Sequence, residues 1–180
     1  MKRLLALIPA LVLAGCFTGG PFYTASDSRP PFPDGRYRMA GTAATGGSLA
    51  ALTRRPDGMV EVRHIGSDDP PSRAGFVPLD PQGRRFAVWA EPQGRAASLL
   101  SSGYGLLERR PDGGWTLHAV HCDGIENLAA AAGAEVTRGE LGSFCEFPNR
   151  ESLERALRRI DLSAEPFRSA GVRLEPVSAP

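Results

Sequence analysis

Lysine is almost absent from the sequence: Lys2 is the only one, so every other basic side chain is an arginine. The 180 residues carry 21 basic and 20 acidic side chains, and the formal net charge is +1. A protein that binds nucleic acid through its phosphates needs a marked basic excess or a basic stripe. We therefore expect no nucleic acid among the partners.

Common catalytic motifs are also missing. The sequence has no nucleophile elbow, Ser-x-x-Lys, His-Glu-x-x-His or phosphate loop. The glycine-rich stretch 41–47 has no lysine and is expected to be a mobile hairpin loop. Asp68 and Asp69 stand among glycine, serine and proline, which favours a solvated loop over a pair of acid–base carboxylates. No enzyme class and no cofactor is predicted from these residues.

Histidine is scarce, with His64, His118 and His121 as the only three, each on or near a predicted strand. None has a carboxylate at a spacing that suggests a triad, so core positions are favoured over catalytic ones. His121 is in phase with Trp115 and Leu117 and is expected to point inward, because strand side chains alternate.

No apolar run is long enough to span a membrane. Met1-Lys2-Arg3 is followed by an apolar stretch over 4–15, which as a helix would extend roughly 18 Å, against a ~30 Å hydrocarbon core. A charged start, a short apolar segment and small residues at its end are typical of a secretory signal. We predict a signal peptide over residues 1–15.

Leu13-Ala14-Gly15-Cys16 resembles the lipobox of bacterial lipoproteins. The resemblance implies that Cys16 is lipid-modified on its sulfur, becomes the N-terminus and is acylated, with a palmitate-like chain as anchor. Phe17 replaces the Asp that retains many such proteins on the inner membrane, which implies the periplasmic leaflet of the outer membrane. The alternative is an ordinary signal peptide followed by a chance cysteine.

After processing, 165 residues remain, enough for one domain with a hydrophobic core. Loss of Lys2 and Arg3 leaves 19 basic against 20 acidic side chains. In an oxidising compartment Cys122 and Cys145 are predicted to form a disulfide. A metal site with His118 and His121 is the alternative, but their spacing matches no standard zinc pattern, and no metal is predicted.

The domain carries an internal repeat. Residues 54–58 and 109–113 both read Arg-Arg-Pro-Asp-Gly, a turn signal between β-type runs. Each unit, over about 33–80 and 81–148, offers four strands. The predicted strands cover 35–42, 48–55, 59–66 and 74–79, then 84–91, 98–109, 114–122 and 142–147.

Two short helices complete the predicted fold. One follows Asp123 as a candidate N-cap, with Gly133 after its C-terminus, and the other spans 149–160 with Asn149 as its cap. The predicted class is mainly β with two short helices, an antiparallel meander barrel or sandwich spanning 34–162. Residues 16–33 are expected to be a flexible tether and 163–180 a C-terminal tail, in which 172–174 could add one strand.

The strand aromatics are expected to pack in the core, although an open barrel could use some of them to line a ligand cavity; they are Tyr37, Phe86, Trp89, Tyr104 and Trp115. The expected function is therefore a lipid-anchored, non-enzymatic accessory or interaction module of the envelope, in contact with the membrane and with an envelope complex. The first alternative is a barrel that binds a small apolar ligand or lipid. The second is an envelope hydrolase with a site near His118 or His121.

Overall fold

A computed structural model describes residues 17–19, 21–41, 47–91, 102–139, 142–165 and 167–177. Its strands are β1 (Phe17–Gly19), β2 (Gly35–Gly41), β3 (Gly47–Arg54), β4 (Val60–His64), β5 (Ser72–Pro78), β6 (Arg85–Ala90), β7 (Ser102–Arg109), β8 (Trp115–Ala119), β9 (Glu135–Gly139), β10 (Gly142–Phe147) and β11 (Val172–Pro176). Its α-helices are α1 (Glu126–Ala131), α2 (Arg150–Arg159) and α3 (Phe167–Ala170), and a 3-10 helix covers Ala25–Asp27.

Eight of these strands form a closed antiparallel barrel. Strands β2 to β8 form a meander, in which each strand pairs with the next one along the chain, β6 with β7 included. The last strand, β11, lies between β8 and β2 and closes the barrel. The prediction of a mainly β meander barrel is confirmed, and the sandwich alternative is excluded.

The eighth barrel strand is not the one expected. Residues 142–147 do form a strand, β10, but it pairs with β9 and β1 outside the barrel. The closing strand is β11, within the segment expected to be a tail. Residues 142–147 were assigned by their position in the repeat alone, whereas Val172 and Leu174 alternate with Arg173 and turn toward the barrel interior.

The two repeated turns have the same hydrogen bonds. In the first, Asp57 accepts a bond from the Met59 amide at 3.0 Å, and the Gly58 amide bonds the Arg55 carbonyl at 3.0 Å. In the second turn, Asp112 accepts a bond from the Gly114 amide at 2.9 Å, and the Gly113 amide bonds the Arg110 carbonyl at 3.0 Å. Gly58 and Gly113 both have positive φ, at 92° and 87°, as this turn requires.

The barrel separates two hydrophobic cores. The inner core contains the inward side chains and Phe32, which packs edge-on against Phe76 with ring centroids 5.0 Å apart. The outer core lies between the outward face of β5–β8 and a layer built from α1, α2 and β10. All five strand aromatics are at most 8% exposed, so the core-packing prediction is confirmed; Trp89 and Tyr104 belong to the outer core and the other three to the inner one.

The outer layer is joined to the barrel by the predicted disulfide. Cys122, just after β8, is bonded to Cys145 of β10, and both residues are fully buried. The helix α2 begins as predicted, with the Asn149 side chain accepting a hydrogen bond from the Ser152 amide at 2.9 Å. Asp123 does not cap α1; it accepts a hydrogen bond from the Ser143 amide at 2.7 Å instead, so it fastens β10.

The segment expected to be a flexible tether over 16–33 is ordered along residues 21–33. Tyr23 and Phe32 are buried, and the Ser28 hydroxyl accepts a hydrogen bond from the Phe76 amide at 3.1 Å. The burial of these two aromatic rings stabilises the segment on the domain, although its Gly- and Pro-rich composition is typical of a flexible chain. The residues 1–15 of the predicted signal peptide, and Cys16 itself, lie outside the described residues.

Candidate functional site: the mouth of the barrel

The two ends of the barrel are different. At one end, here called the turn end, short turns connect β3 to β4, β5 to β6 and β7 to β8. At the other, the mouth end, the connections range from the five residues 42–46 to the long segment 120–171. Residues 42–46 and 92–101 lie outside the described part of the chain. The glycine-rich loop predicted over 41–47 is one of these connections.

Large side chains fill the turn end. Phe86 and Trp115 pack edge to face with ring centroids 5.7 Å apart. Phe32 belongs to the same core, with its ring centroid 5.8 Å from that of Tyr37. The inward leucines Leu52 and Leu107 are at most 4% exposed. This end is a close-packed core with no room for a ligand.

Small side chains dominate the inward positions toward the mouth. The strand registers place the following residues on the inner face there: Gly41, Ser48, Ala50, Ser72, Ala74, Ala90, Gly105 and Ala119. The larger inward residues at this end are all only partly buried; they are Met39, Val62, His64, Leu117 and Val172. This inner surface of small and partly buried residues is here called the cup.

Sequence reasoning did not find this cup. Each of its small residues is unremarkable by itself, and they share one face only once eight strands are in register. The signal that could have shown it is the change in side-chain size between inward positions of one strand. On β7, for example, Leu107 is large and Gly105 has no side chain.

The three histidines have three different environments. His64 is on the inner face at the mouth, opposite Ala50, and is half-buried. His118 points outward and is 5% exposed, under α3. His121 was expected to point inward but is exposed, because β8 ends at Ala119 and the alternation stops there.

The other polar candidates form no cluster. Asp68 and Asp69 are both exposed in the connection between β4 and β5, and Asp69 accepts a hydrogen bond from the Ser67 hydroxyl at 2.6 Å. Among the described residues, no group of three or more His, Cys, Asp or Glu side chains is placed to hold a metal ion.

A surface depression of about 600 Å³ lies at the turn end between Pro33 and Arg54. Its charged groups already have partners. Arg54 donates to the carbonyls of Pro30 and Phe32 at 3.2 Å, and Asp34 accepts a bond from the Arg54 amide at 2.9 Å. These bonds hold the entry of the chain into β2, which is a structural task.

His118 is a buried histidine whose Nδ1 lies 3.2 Å from the Phe167 carbonyl. Its Nε2 has no hydrogen-bond partner among the described residues. Gly171 allows the backbone to pass close to β8, because a Cβ at this position would come within 2.6 Å of Thr116 Cγ2 and 3.1 Å of the His118 ring. Burial lowers the pKa of His118, and the nearby Glu108 carboxylate only partly opposes this.

This lowered pKa predicts acid sensitivity. In the unfolded chain His118 has an ordinary pKa of ~6.5, so it takes up a proton more readily there than in the folded protein. The free energy of unfolding is therefore highest above that pH and decreases as the pH falls toward the lower pKa of the folded state. The slope is at most about 1.4 kcal/mol per pH unit. Urea unfolding between pH 7.5 and 5.5 should show a smaller pH dependence for His118→Gln than for the wild type; equal dependence would contradict the assignment.

The N-terminal segment is held to α2 by a charged network. Arg150 bonds Asp27 at 2.9 Å and Glu154 at 2.8 Å, and its guanidinium lies 4.7 Å from the centroid of the Tyr23 ring. The Tyr23 hydroxyl lies 3.4 Å from Glu154, and burial together with that carboxylate raises the pKa of Tyr23. The network fixes residues 21–28 against the outer layer.

Comparison with protein-family models, with curated proteins and with solved structures finds no match to this chain. No helix in the described part of the chain is long and apolar enough to cross a membrane.

Proposed function

We propose that the protein is a lipid-anchored module of the bacterial envelope that acts by binding, and that a small apolar ligand, such as an acyl chain, enters the mouth of the barrel. The observation that carries the proposal is the contrast between the two barrel ends. Large side chains fill the turn end, whereas small and half-buried apolar ones line the mouth. The resemblance of residues 13–16 to a lipobox supports the anchor.

The chemistry of the cup suits an apolar ligand. Its inner face has no side chain at Gly41 and Gly105 and has apolar side chains at Met39 and Leu117. Removing apolar surface from water contributes about 0.8 kcal/mol per CH₂ group. Of the described inner-face residues at the mouth, His64 alone has a titratable side chain, so we expect affinity to depend mainly on chain length.

Filling the mouth should abolish binding. Ala90 lies on the inner face opposite Ala74, and Ala51 is a half-buried alanine on the outer face of β3. Mature protein carrying Cys16→Ala, which needs no detergent, would be titrated with a fluorescent fatty acid. We expect Ala90→Trp to weaken binding at least tenfold and Ala51→Trp to leave it unchanged.

The thermal unfolding of both variants serves as the folding control. Two outcomes would contradict the mouth as the ligand site. One is equal affinity of the two variants, and the other is the absence of saturable binding to the Cys16→Ala parent protein. Native mass spectrometry of full-length protein from membranes is the complementary test. A stoichiometric protein partner in place of a small molecule would favour the accessory role expected from the sequence.

A further inference from the structure

We propose that the protein binds a second copy of itself head to tail, with a basic face on the outside of one barrel against an acidic face on the outer layer of the next molecule. The basic face lies on β2, β3 and β4, and the acidic face lies on β9 and β10. The inference goes beyond the proposed ligand in the mouth and depends neither on that ligand nor on the lipid anchor.

The basic face has more positive charge than its carboxylates neutralise. The strand registers place Arg63 opposite Ala51 and Ala51 opposite Arg36, with all three side chains outside the barrel. Arg63 lies 3.4 Å from Glu61, which a second arginine also contacts at 3.6 Å. Arg36 and Arg38 are exposed, and neither forms an ion pair within the described residues. The small side chain of Ala51 leaves the surface between Arg36 and Arg63 open.

The glutamate beside Arg38 does not cancel this surplus. Glu175 of β11 lies opposite Arg38 in the register, but its carboxylate is shared by two other arginines, Arg173 at 3.8 Å and Arg110 at 3.9 Å. Two positive charges therefore already surround this one carboxylate. The guanidinium groups of Arg36 and Arg38 are left to bind anionic groups of a partner.

A row of exposed apolar side chains runs beside these arginines. Leu49 is 38% exposed and lies opposite Arg38, and Ile65 is 43% exposed. The Ile65 amide donates a 2.8 Å hydrogen bond to the Leu49 carbonyl, so the two residues are neighbours. This apolar row lies two residues, or about 6.8 Å, along the strands from the row that contains Arg36 and Arg63.

The acidic face carries two glutamates that repel each other. Glu135 of β9 and Glu146 of β10 are directly opposite in the register, both are exposed, and neither has an ion-pair partner in the part of the chain that the structure describes. Like charges directly opposite on neighbouring strands destabilise a sheet. A cationic partner would remove this cost. The face is open to one, because α1 and α2 pack on its reverse side, over Cys145 and Phe147.

Phe144 gives the acidic face the same layout as the basic face. It is 42% exposed and lies two residues from Glu146 on β10, which is again about 6.8 Å. When the two glutamates contact the arginines of a second copy, Phe144 therefore lies against Leu49 and Ile65. Within the described residues, these three are the large apolar side chains that are exposed. Charge and apolar surface are thus complementary in the same alignment of the two faces.

The contact is heterologous, because the two faces are different. Each molecule in a pair keeps one open face that can bind a further copy. Each face presents two rows of side chains, so we expect a contact smaller than the ~1,600 Å² of a standard stable interface. The expected association is therefore weak, grows beyond the dimer as the concentration rises, and is weakened by salt.

Sedimentation of charge-reversed variants tests the pairing of the faces. The variants would be made in the mature, soluble parent protein proposed above for the ligand titration and measured up to about 1 mM. Arg36→Glu/Arg63→Glu reverses the basic face, and Glu135→Arg/Glu146→Arg reverses the acidic face. We expect each reversal alone to weaken the association about tenfold. An equimolar mixture of the two reversed proteins should associate as the parent does, because each face then has a partner of opposite charge.

Two exposed arginines outside both faces provide the matched control. Arg84 and Arg159 have no ion-pair partner among the described residues, so Arg84→Glu/Arg159→Glu makes the same change in net charge. We expect this variant to associate as the parent does. Phe144→Ser, which changes no charge, should weaken the association at least threefold, and thermal unfolding confirms that each variant is folded.

Three outcomes would overturn the proposal and leave the ligand site in the mouth untouched. The first is a parent protein that remains monomeric at the highest concentration. The second is a mixture of the two reversed proteins that associates no better than either protein alone. The third is equal weakening by the control variant, which would show an effect of net charge and not of these faces. Unchanged association of Phe144→Ser would contradict the apolar half of the contact.

Discussion

Deletion of residues 172–180 is expected to prevent the protein from folding. The deletion removes β11, which pairs with β2 along Val172–Pro176 and with β8 along Val172–Leu174. It also removes Leu174 from the inner core and leaves two long strand edges unpaired. Open apolar edges are sites of aggregation, so the truncated protein should lose its cooperative thermal transition and elute as aggregate in size-exclusion chromatography.

A shorter deletion is the matched control. Removal of residues 178–180 alone keeps the 2.8 Å bond from the Val177 amide to the Arg36 carbonyl, together with all of β11. We expect this variant to unfold at the wild-type temperature. A soluble, cooperatively folded protein ending at residue 171 would show that β11 does not close the barrel.

The cysteines should separate anchorage from stability. The double variant Cys122→Ala/Cys145→Ala opens a loop of sequence separation 23, which in the chain-entropy model destabilises the fold by about 3 kcal/mol. For a domain of this size the midpoint of thermal unfolding should fall by roughly 6–12 °C. Membrane association should be unchanged.

Cys16→Ala should have the opposite result. The variant is expected to be released from the membrane fraction, because it lacks the proposed lipid attachment site. It should unfold at the wild-type temperature, because the change leaves the described core residues intact. Differential scanning calorimetry measures the unfolding midpoint of each variant, and membrane flotation measures its membrane association. A bridge variant that keeps the wild-type midpoint would contradict a stabilising role for the disulfide, and a Cys16→Ala protein that still floats would contradict the anchor.

The strands and turns were largely predictable from the sequence because their signals are local. Pro-Asp-Gly fixes a turn through one side-chain bond and one glycine with positive φ, and both copies behave alike. Alternation along β8 then gave the correct inward phase for Trp115 and Leu117. The cap of α2 at Asn149 is equally local, and it too is confirmed.

What could not be predicted depends on contacts between distant residues. The closing strand β11 follows the third strand of the second unit only after an insertion of about 50 residues, so a search by position selected β10 instead. Tyr23 is ordered because Arg150, far along the chain, covers its ring. The mouth requires the registers of all eight strands, which no short window contains.

The order of the strands along the chain has a consequence for secretion. A chain with a signal peptide crosses the inner membrane from its N-terminus, whereas the barrel needs β11, near the last described residue, to pair with β2. Until that strand has emerged, the edges of β2 and β8 are open, and contacts so distant in sequence form slowly. Under the proposed export by a signal peptide, the barrel could not close before β11 has crossed, so this strand would decide when the protein becomes folded.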